Sequence, residues 1–415
     1  MTLHERLAEL ASLGATAEGI DRALFTAAEH AARVRFTVWA RDAGLYVEQD
    51  RAGNLFARLD GREEGAPIQC GSHLDTVKNG GAYDGAYGVV GGLEALRRIA
   101  ASAERPKHAL EVVAWAGEEG SRFPLGCLGS SVYAGLTPYD DVLELNADDG
   151  ESFASALRGP NGLLAGVHVR DGFPPPAAYF ELHIEQGPLL ERGGVRLGVV
   201  TAIAGQRRLS VVVEGIAGHA GTLPMDQRAD ALCAASELVL AVEHAARAIG
   251  ECVATVGRLL VAPNQTNIVP GDVLFRVDAR SADDTRVLAI ERALRERAAD
   301  VAAARKVRIA IETLEVRDAV PMDPRLRALV REACESLDPA AIDIASGAGH
   351  DAMCVASIAP AAMIFVPSIG GRSHVGDERT APADLDLGVE ALTAVLRAAA
   401  NGAVGSSRGR GASER

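Results

Sequence analysis

Four short strand-like segments, each ending in a loop, constrain this chain more than any other feature. Pro67-Ile68-Gln69-Cys70 runs into Gly71-Ser72-His73, and His108 to Ala116 stops at Gly117-Glu118-Glu119-Gly120. Tyr179 to Ile184 leads into Glu185-Gln186-Gly187, and Ala361 to Val366 ends at Pro367-Ser368. Runs of this length bounded by loop residues read as strands. Between the first two, Val89, Val90, Leu93, Leu96 and Ile99 recur at helical spacing. The stretch before about residue 45 also reads as helical. Strands alternating with helices predict an α/β fold with a mixed, mostly parallel sheet covered on both faces.

The middle of the chain follows a different rhythm. Leu209 to Ile216 reads as a strand, Ala229 to Ala248 as a helix, Cys252 to Val261 and Val273 to Ala279 as two strands, Asp284 to Ala303 as a helix, and Val307 to Leu314 as a last strand. The order β-α-β-β-α-β is that of a split-βαβ, ferredoxin-like α+β sandwich. The expected organisation is therefore a catalytic domain in two parts, 1–207 and 321–400, interrupted by an inserted domain at 208–320. Inserted domains of this kind act as lids or dimer interfaces. The Gly-, Ser- and Arg-rich tail 401–415 is expected to be disordered.

A length of 415 residues fits two or three compact units, and 48% hydrophobic with 24% charged residues is ordinary globular composition. The net charge of −14 argues against nucleic-acid or anionic-membrane partners, which need a basic face. It leaves room for an anionic small substrate, since one buried cation reverses the field locally. No apolar run is long enough for a transmembrane helix, and the N-terminus lacks the order of a secretory signal. Cys70, Cys127, Cys233, Cys252, Cys334 and Cys354 have neither zinc-ribbon nor disulfide-framework spacing. They read as reduced cysteines, so a cytoplasmic location is expected.

Of the ten histidines, His73, His183, His219, His350 and His374 sit in glycine- or acid-rich loops at the ends of expected strands. Ligands of open α/β sheets bind beyond the carboxyl ends of the strands. In Gly71-Ser72-His73-Leu74-Asp75-Thr76-Val77, one ring nitrogen of His73 can face a metal while Asp75 accepts from the other and fixes the tautomer. Asp84, between glycines before a helix, reads either as an N-cap or as a carboxylate bridging two cations. Glu118 and Glu119 are costly to place side by side unless positive charge neutralises them. The pair reads either as a solvated turn or as one metal ligand beside one proton carrier. Phe180, Leu182 and Ile184 alternate with Glu181, His183 and Glu185, which puts His183 on a polar strand face. His374 follows a strand and the Gly370-Gly371 pair. Together His73, Asp84, Glu119, His183 and His374 make a nitrogen–oxygen donor set fit for two divalent ions sharing a carboxylate.

The strings GSHLDTV, GGAYDGAYGV, EEGSRF, ELHIEQGP, GHAGTLPM, SGAGHDAM and GGRSH occur in this order over residues 71–378. With them the chain resembles the carbamoylase and allantoate amidohydrolase branch of the di-zinc aminoacylase-like hydrolases, HIEQGP with EEGSRF being the most specific part. The resemblance implies a zinc-aminopeptidase-like catalytic domain with a ferredoxin-like lid that also dimerises, and two divalent ions per subunit (Zn, or Mn, Co or Ni). It implies that His73, Asp84 and His183 hold one ion and Asp84, Glu119 and His374 the other. Glu118 is then the general base, and Asp75 orients His73. His219 would polarise the ureido oxygen, Asn267 and Arg280 would grip the substrate carboxylate, Gln186 would contact the ureido group, and Gly371 would line the substrate. Arg280 also stands out on its own, because Arg276, Asp278 and Arg280 alternate with Phe275, Val277 and Ala279 and so lie on a polar strand face.

The expected reaction is hydrolysis of the ureido carbon–nitrogen bond of a small carboxylate, an N-carbamoyl-L-amino acid, with release of ammonia and carbon dioxide. Allantoate hydrolysis needs the same residues. An aminoacylase or dipeptidase is disfavoured by HIEQGP, and a non-catalytic binding protein would have lost a ligand or Glu118. The chain departs from the family's usual pattern at Val375-Gly376, Gly218 and Arg372. Arg372 is expected to bias the pocket towards acidic substrates, and His350-Asp351 reads as structural or as support for the ligands.

Overall fold

The structure is a computed structural model that describes residues 1–102, 104–172 and 174–403. It divides into two compact units: Met1–Thr201, Met322–Ile344 and Ala348 onward form the first, and Ala202–Pro321 with Ala345–Gly347 the second. No helix among the described residues is long and apolar enough to cross a membrane.

The first unit is built on a mixed sheet whose centre is parallel. Ala361–Val366, Ala178–Ile184, Ile68–His73 and Leu110–Trp115 lie side by side in that order, all in one direction. Leu55–Leu59 continues the sheet antiparallel to Leu110–Trp115, and Gly198–Ile203 does so antiparallel to Ala361–Val366. The central strands are buried along their whole length. Ala361–Val366 is accordingly apolar at both alternating positions, as a sheet covered on both faces requires, while the other three also bury polar residues such as Gln69, Glu111 and Glu181. The helix Ala86–Ala100 buries Val89, Val90, Leu93, Leu96 and Ile99 against this sheet, and Pro382–Ala398 packs beside it. Val90, Leu93, Phe180, Leu182, Ile364 and Leu392 belong to one continuous core from which water is excluded. Truncating any one of these to alanine would cost on the order of 2–5 kcal/mol.

Because the four central strands run in parallel, their C-terminal ends lie on one edge, and the loops after them converge there. Ala178–Ile184 is the strand with an acidic face. Its acidic face is as buried as its apolar one. Glu181 is satisfied inside the protein by the Ser72 hydroxyl and the Ala352 N–H.

The second unit is a four-stranded antiparallel sheet ordered Val253–Ala262, Asp272–Ser281, Gly205–Glu214, Arg308–Arg317. Its two helices, Ala231–Ile249 and Asp284–Arg305, cover one face, over Leu209, Val211, Val213, Val273, Phe275 and Val277. The opposite face carries no helix of this unit. The last described element is a π-helical turn, Ala399–Ala403, in which Asn401 accepts from the Lys107 N–H. Residues 401–403 thus extend the last helix, and the remainder of the expected disordered tail lies outside the described residues.

Candidate metal and catalytic site

His73 is the last residue of its strand and His183 lies one residue before the end of the neighbouring one, so both rings emerge at the carboxyl edge of the sheet. The His183 Nδ1 proton is donated to the Ile184 carbonyl at 2.9 Å, which turns Nε2 into the site, beside the Gly85 N–H at 3.2 Å. That Nε2 lies 3.3 Å from Asp84 Oδ1, while His73 Nε2 lies 3.8 Å from the same oxygen. The other Asp84 oxygen, Oδ2, is 3.1 Å from His374 Nε2, which in turn is 3.6 Å from Glu119 Oε2. Two donor sets therefore share one carboxylate: His73, Asp84 and His183 on one side, and Asp84, Glu119 and His374 on the other.

The cap reading of Asp84 does not hold. The following helix starts after Gly85, and no side chain caps it. Gly85 has φ +63°, and a Cβ there would fall 2.4 Å from the His73 ring, so only glycine lets the loop pass over that imidazole.

Asp75 also differs from expectation. The His73 Nδ1 proton goes to the main-chain carbonyl of Asp75 at 3.0 Å, and the carboxylate stands farther away, at 3.8 Å. The carboxylate accepts instead the N–H groups of Glu118 and Glu119, each at 3.2 Å. One residue thus fixes the ring through its backbone and the acid pair through its side chain.

Glu118 Oε2 approaches His73 Nε2 at 3.8 Å, and its Oε1 accepts from the Cys127 thiol at 3.3 Å. Burial, then the carboxylates of Asp351 and Glu119, hold Glu118 well above the usual carboxylate range. Burial and Asp84 push Glu119 to about 7. Burial would raise Asp84 too, but its bonds to His183 and His374 win and keep it well below its usual value. Burial would likewise lower His183, yet Asp84 prevails and holds it at about 9, and the hydrogen bond to Asp84 raises His374 to about 9. The His350 ring packs edge-on to His183 at 4.5 Å, and burial keeps His350 well below the usual imidazole range. Asp351, beside it, accepts from the Ser130 hydroxyl.

Two supporting residues, Glu378 and Ser373, drew no such role from the sequence. Glu378 Oε1 accepts the N–H groups of Tyr83 and Asp84 at 2.9 and 3.1 Å, and its Oε2 accepts the Ser373 hydroxyl at 2.7 Å. Ser373 lies 3.1 Å from Asp84 Oδ2, so the loops carrying Asp84 and His374 are tied together. An acid four residues after His374 in a polar string looks like a solvated loop residue, and only its burial separates the two cases. Gln186 donates to Asp84 Oδ2 at 3.0 Å while its own Oε1 is buried with no partner. Gly371 has φ +64°, and a Cβ there would meet Pro188 at 2.7 Å, so a close backbone approach accounts for it. Arg372 is paired with Asp377 at 2.7 Å, both side chains being exposed.

His219, Asn267 and Arg280 belong to the second unit. His219 pairs with Ile268, and the Ala220 N–H bonds the Asn267 carbonyl, so His219 and Asn267 lie on one short ribbon. His219 Nδ1 accepts from the Gly221 N–H at 3.0 Å, so the proton of the neutral ring is on Nε2, available as a donor. Arg280 is engaged with Asp278 at 2.9 and 3.1 Å and with the Gly347 carbonyl at 3.1 Å.

The donor sets fit divalent cations. Within each set the nitrogen and carboxylate donors lie within 4.8 Å of one another, and Glu119 Oε1 is buried with no partner. So many buried carboxylates repel each other unless positive charge sits among them.

The sequence model of peptidase family M20/M25/M40 matches residues 70–398. The chain is 37% identical over 402 residues to the N-carbamoyl-L-amino-acid amidohydrolase of Paenarthrobacter aurescens, covering 95% of this chain and 97% of that protein. It is also 37% identical over 393 residues to the allantoate amidohydrolase of Bacillus subtilis (strain 168), covering 93% and 94%. A hydantoinase/carbamoylase family amidase from Burkholderia multivorans superposes with a TM-score of 0.91 at 38% identity, covering 96% and 97%.

Proposed function

The chain belongs to peptidase family M20/M25/M40, and from that footing we propose that it hydrolyses the ureido carbon–nitrogen bond of an N-carbamoyl-L-amino acid, releasing ammonia and carbon dioxide. One observation carries this reading. Asp84 is shared between two donor sets, and a buried carboxyl that belongs to neither, Glu118, stands beside them. His73, Asp84 and His183 would hold one ion and Asp84, Glu119 and His374 the other, a donor set that Zn, Mn, Co or Ni accepts. Bound there, the pair of ions would supply Lewis acidity that activates water near neutral pH and polarises the scissile carbonyl.

The chain's own groups do the rest. Glu118 takes the proton of the attacking water and passes it to the leaving nitrogen, a role suited to a carboxyl whose affinity for protons burial has raised. Asp75 keeps the Glu118-Glu119 backbone in place for that transfer. The unpartnered Gln186 Oε1 accepts from the ureido N–H. In the second unit, His219 donates from Nε2 to the ureido oxygen as charge develops on it, and such a donor contributes roughly 3–4 kcal/mol to the transition state. Asn267 and Arg280 grip the substrate carboxylate. The same reading takes the enzyme to be a cytoplasmic homodimer associating through the second unit, which light scattering on the purified protein tests.

A second reading, allantoate hydrolysis, is favoured by the equal identity to an allantoate amidohydrolase. The deciding assay is ammonia release from a panel of N-carbamoyl-L-amino acids and allantoate, with and without added Mn and Zn. Metal-dependent turnover of the carbamoyl amino acids alone supports the first reading, and turnover of allantoate alone replaces it with the second. If neither is turned over, the ureido assignment is wrong.

A further inference from the structure

A concavity of about 590 Å³ lies in the second unit, on the sheet face that carries no helix. That size is typical of small-molecule sites, which are mostly apolar with a few fixed polar groups. Its charged lining is Arg208, Arg258, Arg276 and Arg280 with a single acid, Asp278, and Val253 and Leu314 expose aliphatic surface beside them.

The four arginines are not equivalent. Arg280 spends Nε and Nη2 on Asp278 and Nη1 on the Gly347 carbonyl. Arg208 is shared between Asp278 at 3.4 Å and Glu315 at 3.0 Å. Arg276 and Arg258 have no acidic partner among the described residues, and Arg276 Nη1 is withdrawn from water with no hydrogen-bond partner at all.

These two arginines also face each other across adjacent strands, an arrangement that like charges disfavour. A β-bulge brings it about. Val256 pairs with Val277, Gly257 is skipped, and Arg258 pairs with Arg276. In unbroken register Arg258 would oppose Phe275, whose side chain is buried under the helices. The extra residue turns Arg258 onto the open face, beside Arg276. Bulges recur where a side chain must be re-aimed next to a site.

We propose that Arg276 and Arg258 form an anion subsite for a second carboxylate, so that this enzyme's substrates include ureido acids with an acidic side chain. Arg280 lines the same cavity four residues along the same strand, about 13 Å away backbone to backbone at strand rise. One end of a ureido dicarboxylate would meet Arg280 and the other the arginine pair. The proposal rests on the reading above for the role of Arg280, but its test does not need turnover.

In a metal-loaded Glu118→Gln background, where turnover is blocked, the protein with wild-type Arg276 and the protein with Arg276→Gln are titrated calorimetrically with N-carbamoyl-L-glutamate and with N-carbamoyl-L-norvaline, which lacks the second carboxylate. The expected result is tighter binding of the glutamate compound by the protein with wild-type Arg276, and a loss of about 10- to 100-fold for it alone with Arg276→Gln. Arg276→Lys, which keeps the charge, is expected to retain part of that affinity and serves as the folding control. Equal losses for both ligands, or no loss for either, overturn the proposal. So does a changed oligomeric state in Arg276→Gln with unchanged ligand affinity, which would assign the pair to a protein contact. If the binding difference holds but neither compound releases ammonia with the unsubstituted enzyme, the ureido hydrolase reading fails and the subsite stands.

Discussion

Replacing Asp75 by asparagine separates two functions that one residue performs through different atoms. Its carboxylate accepts the N–H groups of Glu118 and Glu119 at 3.2 Å each, whereas its backbone carbonyl accepts from His73 Nδ1 at 3.0 Å. An amide has the same shape but only one accepting atom, so one N–H would face an NH2 group. A hydrogen bond to an ionised acceptor contributes roughly 1.5–3 kcal/mol, and one of two is lost. Since the backbone that shifts carries Glu118, kcat/KM should fall about 10- to 100-fold, at 1.4 kcal/mol per decade. The His73 ring keeps its bond to the carbonyl, so the ion on the His73 side should be retained. Ammonia release and metal content by elemental analysis, run on the same preparation, read both effects. A variant within about twofold of wild type would show that the carboxylate does not hold the loop. Loss of the His73-side ion with kcat per bound metal intact would show that it acts on His73 after all.

Glu118→Gln should keep the metal content and lose turnover by about 100-fold or more, the usual contribution of a positioned acid–base group, as read by single-turnover kinetics. Glu378→Ala frees the Tyr83 and Asp84 N–H groups and Ser373 at once, and should weaken metal binding about 10- to 100-fold in a competition assay with a coloured chelator. In the metal-free protein His183 and His374 hold their protons up to about pH 9. Metal uptake at neutral pH should therefore release protons, and affinity should rise with pH until about 9. Calorimetry in buffers of different ionisation enthalpy checks this, and a proton count of zero at neutral pH refutes it. The same raised values mean that the imidazolium–Asp84 pairs stabilise the metal-free fold below the unfolded histidine value. That stabilisation disappears as pH rises through about 9, so the melting temperature of the metal-free protein should fall across that range.

Local pattern alone was enough for the central strands of the first unit, the elements of the second and the candidate donors. Ala361–Val366 announces itself as a continuous apolar run because both faces of a parallel sheet are covered, and it begins and ends where its run does. His73, Asp84, Glu119, His183 and His374 stand out as a group, because each has an ordinary structural reading alone and five such coincidences at strand ends do not. What the sequence left open were questions about which atom faces which, and these depend on segments far apart in the chain. Asp84 could cap a helix or face two histidines until the fold brought His183 and His374 to its two oxygens. Asp75 could turn its carboxylate to His73 or to the Glu118-Glu119 backbone until Leu110–Trp115 was laid beside Ile68–His73. Glu181 and Glu378 look like solvent-facing acids in one dimension, and are buried because neighbouring segments close over them. Arg258 reads as a residue of either strand face, and a single skipped partner decides which. Periodicity is a property of one segment and survives in the sequence. Register, burial and the direction of a side chain are properties of pairs of segments, and they exist only once the chain has folded.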